Sequence, residues 1–202
     1  MTPGRWIVVA AAAVAALLAA APLRADATAD PIAAVGRVLR DGGGPCSGVL
    51  VAPRRVLTVG HCVARGRPWR AFEAARLSVV LGGRSDAVVA AHLPARGPFA
   101  EDGRLDDVAR DWAYLELAEA PAPSPLPLGA AAAARRAFIL DAAITKVGWA
   151  GGRQRRDDGC RITGLERDGT VIAFRCGGDA GAGRSGSALL SAEGERVEVI
   201  GT

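Results

Sequence analysis

Beyond its N-terminal segment the chain reads as short apolar or alternating runs, separated by glycine, proline and charged turns. These runs predict strands over 33–38, 47–52, 55–59, 77–81, 87–91 and 112–117. The segment Ala120 to Leu128 then carries proline at every second position from 121 to 127. Prolines so placed are incompatible with a central strand or a helix, and they predict a linker. A second set of runs predicts strands over 143–149, 161–165, 170–176, 187–190 and 197–200. Many short strands with turn signals between them predict an all-β barrel or sandwich.

The N-terminus has a different pattern. Arg5 precedes an uncharged, alanine-rich stretch from Trp6 to Leu23, and Ala25-Asp26-Ala27 follows. This is the layout of an export signal cleaved after Ala27, and it predicts a mature chain from about Thr28, secreted or periplasmic. An uncleaved anchor is the competing reading, because the stretch is close to spanning length. Its alanine content makes it a weak anchor, so no stable membrane association is expected after cleavage.

Composition narrows the classes. Aromatic residues are only 4% of the 202, so the core must come mainly from Val, Leu, Ile and Ala. The net charge of +4 comes from arginines scattered in ones and twos. The densest basic run, Arg153-Gln154-Arg155-Arg156, leads directly into Asp157-Asp158 and contains no aromatic. It predicts a solvated loop and not a nucleic-acid surface. Four cysteines, an even count in an exported chain, predict disulfides, for which three pairings exist. Without a close Cys-x-x-Cys pair, and with two histidines in all, neither a metal nor a cofactor is expected.

Three blocks carry candidate chemistry. His61 ends Cys46-Ser47-Gly48-Val49-Leu50-Val51-Ala52-Pro53-Arg54-Arg55-Val56-Leu57-Thr58-Val59-Gly60-His61-Cys62, after two short apolar runs. Asp111 opens Asp111-Trp112-Ala113-Tyr114-Leu115-Glu116-Leu117, and Ser185 lies in Gly181-Ala182-Gly183-Arg184-Ser185-Gly186-Ser187. A serine hydroxyl needs an adjacent base to become a nucleophile near neutral pH, and imidazole titrates in the right range. A buried carboxylate on the far ring nitrogen holds one tautomer and stabilises the imidazolium. Asp106 and Asp107 compete with Asp111 but lie in a polar run, while Ser187 and Ser191 read as strand or turn serines. His92 precedes Leu93-Pro94, a loop signal, and is given no role.

The blocks, in the order His, Asp, Ser, resemble those of trypsin-like serine proteases of the chymotrypsin fold. The resemblance implies an all-β chain of two six-stranded antiparallel barrels, with a catalytic site of His61, Asp111 and Ser185 in the cleft between them. It implies an oxyanion hole from the amides of Gly183 and Ser185, and a monomer that hydrolyses protein or peptide substrates through an acyl-enzyme. Domains are expected at 28–119 and 138–202, joined by a linker at 120–137 and preceded by the signal at 1–27. Cys46 with Cys62 would join the strands bracketing the histidine, as in the family, and Cys160 with Cys176 would close the hairpin leading to the nucleophile loop. Arg184 replaces the aspartate that precedes the nucleophile in trypsin, which brings the block closer to the bacterial V8-like branch. Asp179 falls six residues before the serine, where trypsin selects basic substrates, but V8-like enzymes with other preferences share it. Val59-Gly60 replaces the usual pair of alanines. The chain ends at Val199-Ile200-Gly201-Thr202, the start of the strand that walls the substrate pocket in the family. The second barrel is therefore expected to be incomplete, and the alternative function is a non-catalytic, secreted binding homologue.

Overall fold

Glycine pairs set two of the hairpins. Gly82-Gly83 and Gly151-Gly152 all have positive φ, between 56° and 84°. Two such residues in succession make the tight turn whose twist matches that of paired strands. The computed structural model describes residues 30–66, 69–100, 107–129, 140–166, 171–177, 185–193 and 196–202. The expected signal at 1–27 lies outside them.

The first strands are β1 (Val35–Arg40), β2 (Cys46–Ala52), β3 (Arg55–Thr58), the short pair β4 (Ala64–Arg65) and β5 (Arg70–Ala71), β6 (Leu77–Leu81), β7 (Arg84–His92) and β8 (Ala113–Leu117). They are followed by β9 (Ala143–Ala150), β10 (Arg153–Glu166), β11 (Val171–Arg175), β12 (Ala188–Glu193) and β13 (Arg196–Gly201). The order β1-β2-β3-β8-β7-β6 closes into a barrel, and β11-β10-β9-β12-β13 form a five-stranded sheet. Every pairing in the two is antiparallel. The all-β class of the chymotrypsin-like type is therefore observed, with a closed six-stranded barrel beside a second sheet. Among the described residues no helix is long and apolar enough to cross a membrane.

The core follows from the composition. Val49, Leu50, Val56, Val79, Leu115 and Leu117 fill the closed barrel, and Phe72 is the one buried aromatic among the described residues. A smaller cluster of Ile144, Cys160, Ile162 and Leu189 fills the second sheet. Both expected cystines are present: Cys46–Cys62 ties β2 to the turn after β3, and Cys160–Cys176 ties β10 to the end of β11.

Three expectations are corrected. Arg153 to Asp158 is not a loop but the first half of β10, paired with β9 through the Gly151-Gly152 turn. Its side chains are mostly exposed, so backbone pairing holds it without an apolar pattern. There the Arg156 guanidinium, with help from the Thr145 hydroxyl, holds the Asp158 carboxyl below its ordinary range. His92 is not in a loop but ends β7, opposite Tyr114, with Nε2 3.8 Å from Glu116. Ala33 and Ala34 belong to a 3-10 turn over Pro31–Ala34, and the strand begins only at Val35. The β4–β5 pair was not foreseen.

The proline-rich segment runs between the two sheets without a strand of its own, yet it is hydrogen-bonded to both. Leu126 N–H donates to Leu50 of β2, while Val199 N–H of β13 donates to Pro127 and Gly129 N–H donates back to Val199. Replacing Cys160 and Cys176 together by alanine should lower stability by up to about 3 kcal/mol, since each loop is near 15 residues. A urea unfolding curve would show this as an earlier midpoint with a somewhat steeper slope, because the unfolded chain without the cross-link is more exposed.

Candidate active site

β3 and β8 are neighbours, with Thr58 opposite Ala113, and this adjacency brings the residues just beyond them together. His61 lies in the 3-10 turn Gly60–Cys62 after β3, and Asp111 ends the turn Val108–Arg110 before β8. Asp111 holds His61 at two points: Oδ1 accepts the His61 backbone N–H at 2.9 Å, and Oδ2 lies 2.6 Å from Nδ1. A carboxylate offers only acceptors, so Nδ1 is the donor, and in the neutral ring Nε2 then carries the lone pair. The carboxylate side chain is 8% exposed and the imidazole 38%, so the ring has an anchored edge and an accessible one. The small Gly60 contributes: a Cβ there would sit 3.1 to 3.3 Å from the Trp69 ring, the Trp112 carbonyl and Asp111 Oδ1.

Ser185 comes from the second sheet, just before β12, and is exposed. Its carbonyl accepts the N–H of Ser47 at 2.7 Å, which seats the start of the Ser185 turn on β2. Ser47 is fully buried, and three of its backbone and side-chain atoms are used. Its carbonyl accepts the Thr58 hydroxyl at 2.6 Å, and its own hydroxyl oxygen accepts the Trp149 N–H of β9 at 2.8 Å. Ser47 also follows Cys46, whose disulfide partner Cys62 adjoins His61. Gly186, with φ of 77°, packs so closely that a Cβ would collide with the Ser47 carbonyl and the Thr58 hydroxyl.

The structure thus joins His61 to Asp111 and docks the Ser185 turn on the same barrel. Gly183, Arg184, Asp179 and Asp106 lie outside the described residues. Asp107 instead pairs with Arg110 at 2.8 Å. Ser187 is buried in the turn before β12, and Ser191 is in that strand, as expected. Asp157, Cys160 and Cys176 bring possible ligand atoms within 4.8 Å of one another, but both sulfurs are in a disulfide and no thiolate is available.

Residues 46–201 match the family model of a trypsin-like peptidase domain. The chain belongs to the trypsin-like peptidase family. Protein or peptide substrates follow from that membership. No curated protein matches the chain. Among solved structures, this trypsin-like peptidase is similar to Rv3671c protease in its inactive form, at 21% identity and a TM-score of 0.51 over 79% of this chain and 71% of that one. At that identity the likeness concerns the fold.

Ser47, Thr58 and Trp149 are the residues of this site that sequence reasoning missed. Their only signal was a serine and a threonine inside apolar strand runs, where a polar side chain must find a partner. Gly186→Ala should destabilise this trypsin-like peptidase by about 1–3 kcal/mol, through backbone strain added to the collision. A lowered thermal midpoint with unchanged strand content in circular dichroism would register it.

Proposed function

We propose that this trypsin-like peptidase is an exported serine endopeptidase using His61, Asp111 and Ser185. The observation that carries the reading is the two-point hold of Asp111 on His61, which leaves Nε2 as a base on the accessible edge. Ser185 Oγ gives its proton to Nε2 as the oxygen adds to the scissile carbonyl. The carbonyl oxygen becomes an oxyanion, held by the amides of Gly183 and Ser185. The imidazolium, stabilised by Asp111, then protonates the leaving amine, and an acyl-enzyme on Ser185 remains. Water, deprotonated by the same His61, releases the acid and restores the serine. Arg184 before the serine and the Gly183-x-Ser185-Gly186-Ser187 pattern favour the V8-like branch. The Arg5-to-Ala27 segment and two disulfides favour an oxidising, extracellular or periplasmic setting.

The test is a fluorophosphonate probe on the natively secreted protein, with the adduct located by peptide sequencing. One adduct on Ser185, lost in Ser185→Ala together with proteolysis, is expected. An adduct elsewhere, or proteolysis that survives Ser185→Ala, would sink the assignment. A folded protein that never labels would instead fit a non-catalytic homologue. Asp111→Asn should lower kcat by about 10⁴-fold by favouring the wrong tautomer. Steady-state assay of a cleaved peptide would measure it.

A further inference from the structure

Three arginines from separate elements converge on one ring. The guanidinium carbons of Arg40 at the end of β1, Arg65 in β4 and Arg76 before β6 lie 4.5, 5.1 and 5.7 Å from the Phe72 ring centroid. All are within the roughly 6 Å range of a cation–π contact. Phe72 is itself buried, and its N–H donates to Val63 at 2.8 Å, so the ring is a fixed platform. Elsewhere Arg54, Arg84, Arg110 and Arg156 each have a carboxylate within 4 Å. Among the described residues, no carboxylate lies within 4 Å of the Arg40, Arg65 or Arg76 guanidinium. Each ring contact is worth only about 0.5–1 kcal/mol at a wet site, and the cations repel one another, so an anion among them would be favoured.

Two of these arginines share a cleft with His61. Arg40 and Arg65, with His61, Ala64, Trp69 and Phe99, line a cleft of about 450 Å³. Trp69 and Phe99, with ring centroids 5.8 Å apart at 59°, add an aromatic pair to the lining that holds the two cations. All these residues belong to the His61 side of the molecule, and His61 is the group that must protonate the leaving amine. A cleft lined by His61 is within reach of the part of the substrate that departs with that amine. A short carboxylate side chain suits it: its methylenes lie on the rings, and its two oxygens meet guanidinium forks. A lysine or arginine there would meet like charge.

Resting on the serine-endopeptidase reading, we propose that this cleft is a subsite selecting aspartate or glutamate on the leaving-group side of the scissile bond. The experiment digests a peptide pool with the full-length secreted protein and reads cleaved bonds by mass spectrometry. Aspartate and glutamate should be enriched about tenfold over lysine and arginine within the first few residues after the cut, the discrimination of one charge-assisted pair. The double variant Arg40→Glu/Arg65→Glu, shown folded by near-UV circular dichroism, should lose or invert this preference. Arg161→Glu on β10 should keep it. A parallel titration of Ser185→Ala follows tryptophan fluorescence with Ala-Glu-Ala amide against Ala-Lys-Ala amide, in low and high salt. Tighter binding of the acidic peptide, weakened by salt and by the double reversal, is expected.

Cleavage without acidic enrichment after the cut, or with enrichment that survives the double reversal, overturns the subsite while leaving the peptidase reading intact. If Ser185 neither labels nor supports cleavage, arginine-dependent binding of the acidic peptide upholds the cleft as a carboxylate site, and only the catalytic reading falls. Equal binding of the two tripeptides, unaffected by the reversal, overturns the subsite.

Discussion

The hydrogen bond from the Ser47 amide to the Ser185 carbonyl is the contact around which the two sheets are arranged. Its donor belongs to the fully buried Ser47, where an unpaired peptide N–H would cost roughly 1–3 kcal/mol. Satisfying it requires β2, the Ser185 turn and β9 to be in register at once, because the Ser47 hydroxyl also accepts the Trp149 amide and the Thr58 hydroxyl is spent on the Ser47 carbonyl. A slip of any one would strand at least one buried polar group. Gly186 is what allows so close an approach, having no Cβ to meet the Ser47 carbonyl.

The same region explains why His61 is well placed without being deeply buried. Its backbone is held by Asp111 Oδ1 and bracketed by Cys62, whose sulfur is bonded to Cys46. Its ring is held by Asp111 Oδ2. Orientation thus comes from covalent and hydrogen-bond anchors on one side, and the other side stays open. A deeply buried imidazole would be as rigid but could not reach a substrate. The anchoring carboxylate, in contrast, is shielded, and low dielectric strengthens its bond to the ring.

Charge is distributed unevenly over the barrel. Around β7 and β8 the basic groups have acidic partners: Arg84 faces the buried Asp86 and Glu119, and Arg54 lies near Glu116. Around β4, β5 and the ends of β1 and β6 the guanidiniums gather on Phe72 instead. The overall +4 does not disclose this, since it averages a neutralised side and a cationic one. The cationic side borders the cleft beside His61, where charge bears on which peptides approach.

The sequence by itself determined where most strands lie and which blocks hold candidate chemistry. Leu77–Leu81, for instance, is a short run apolar but for Ser78 and forms a strand with the bounds predicted, because its Leu and Val side chains are all buried. The chain order of His61, Asp111 and Ser185 and the even cysteine count are likewise local features, readable without coordinates. The strand through Arg153 to Asp158 was not legible, because its side chains are mostly solvated and what holds it is backbone pairing to β9 across a glycine turn. Nor was the Ser47 hub, whose partners lie 11 residues away at Thr58 and 102 away at Trp149. The meeting of Arg40, Arg65 and Arg76 on one ring is of the same kind. Local pattern dictates which residues are buried and extended; only closure of the barrel and its packing on the second sheet decide which distant polar groups share a space, because hydrogen bonds and charge contacts depend on ångström separations that no linear spacing encodes.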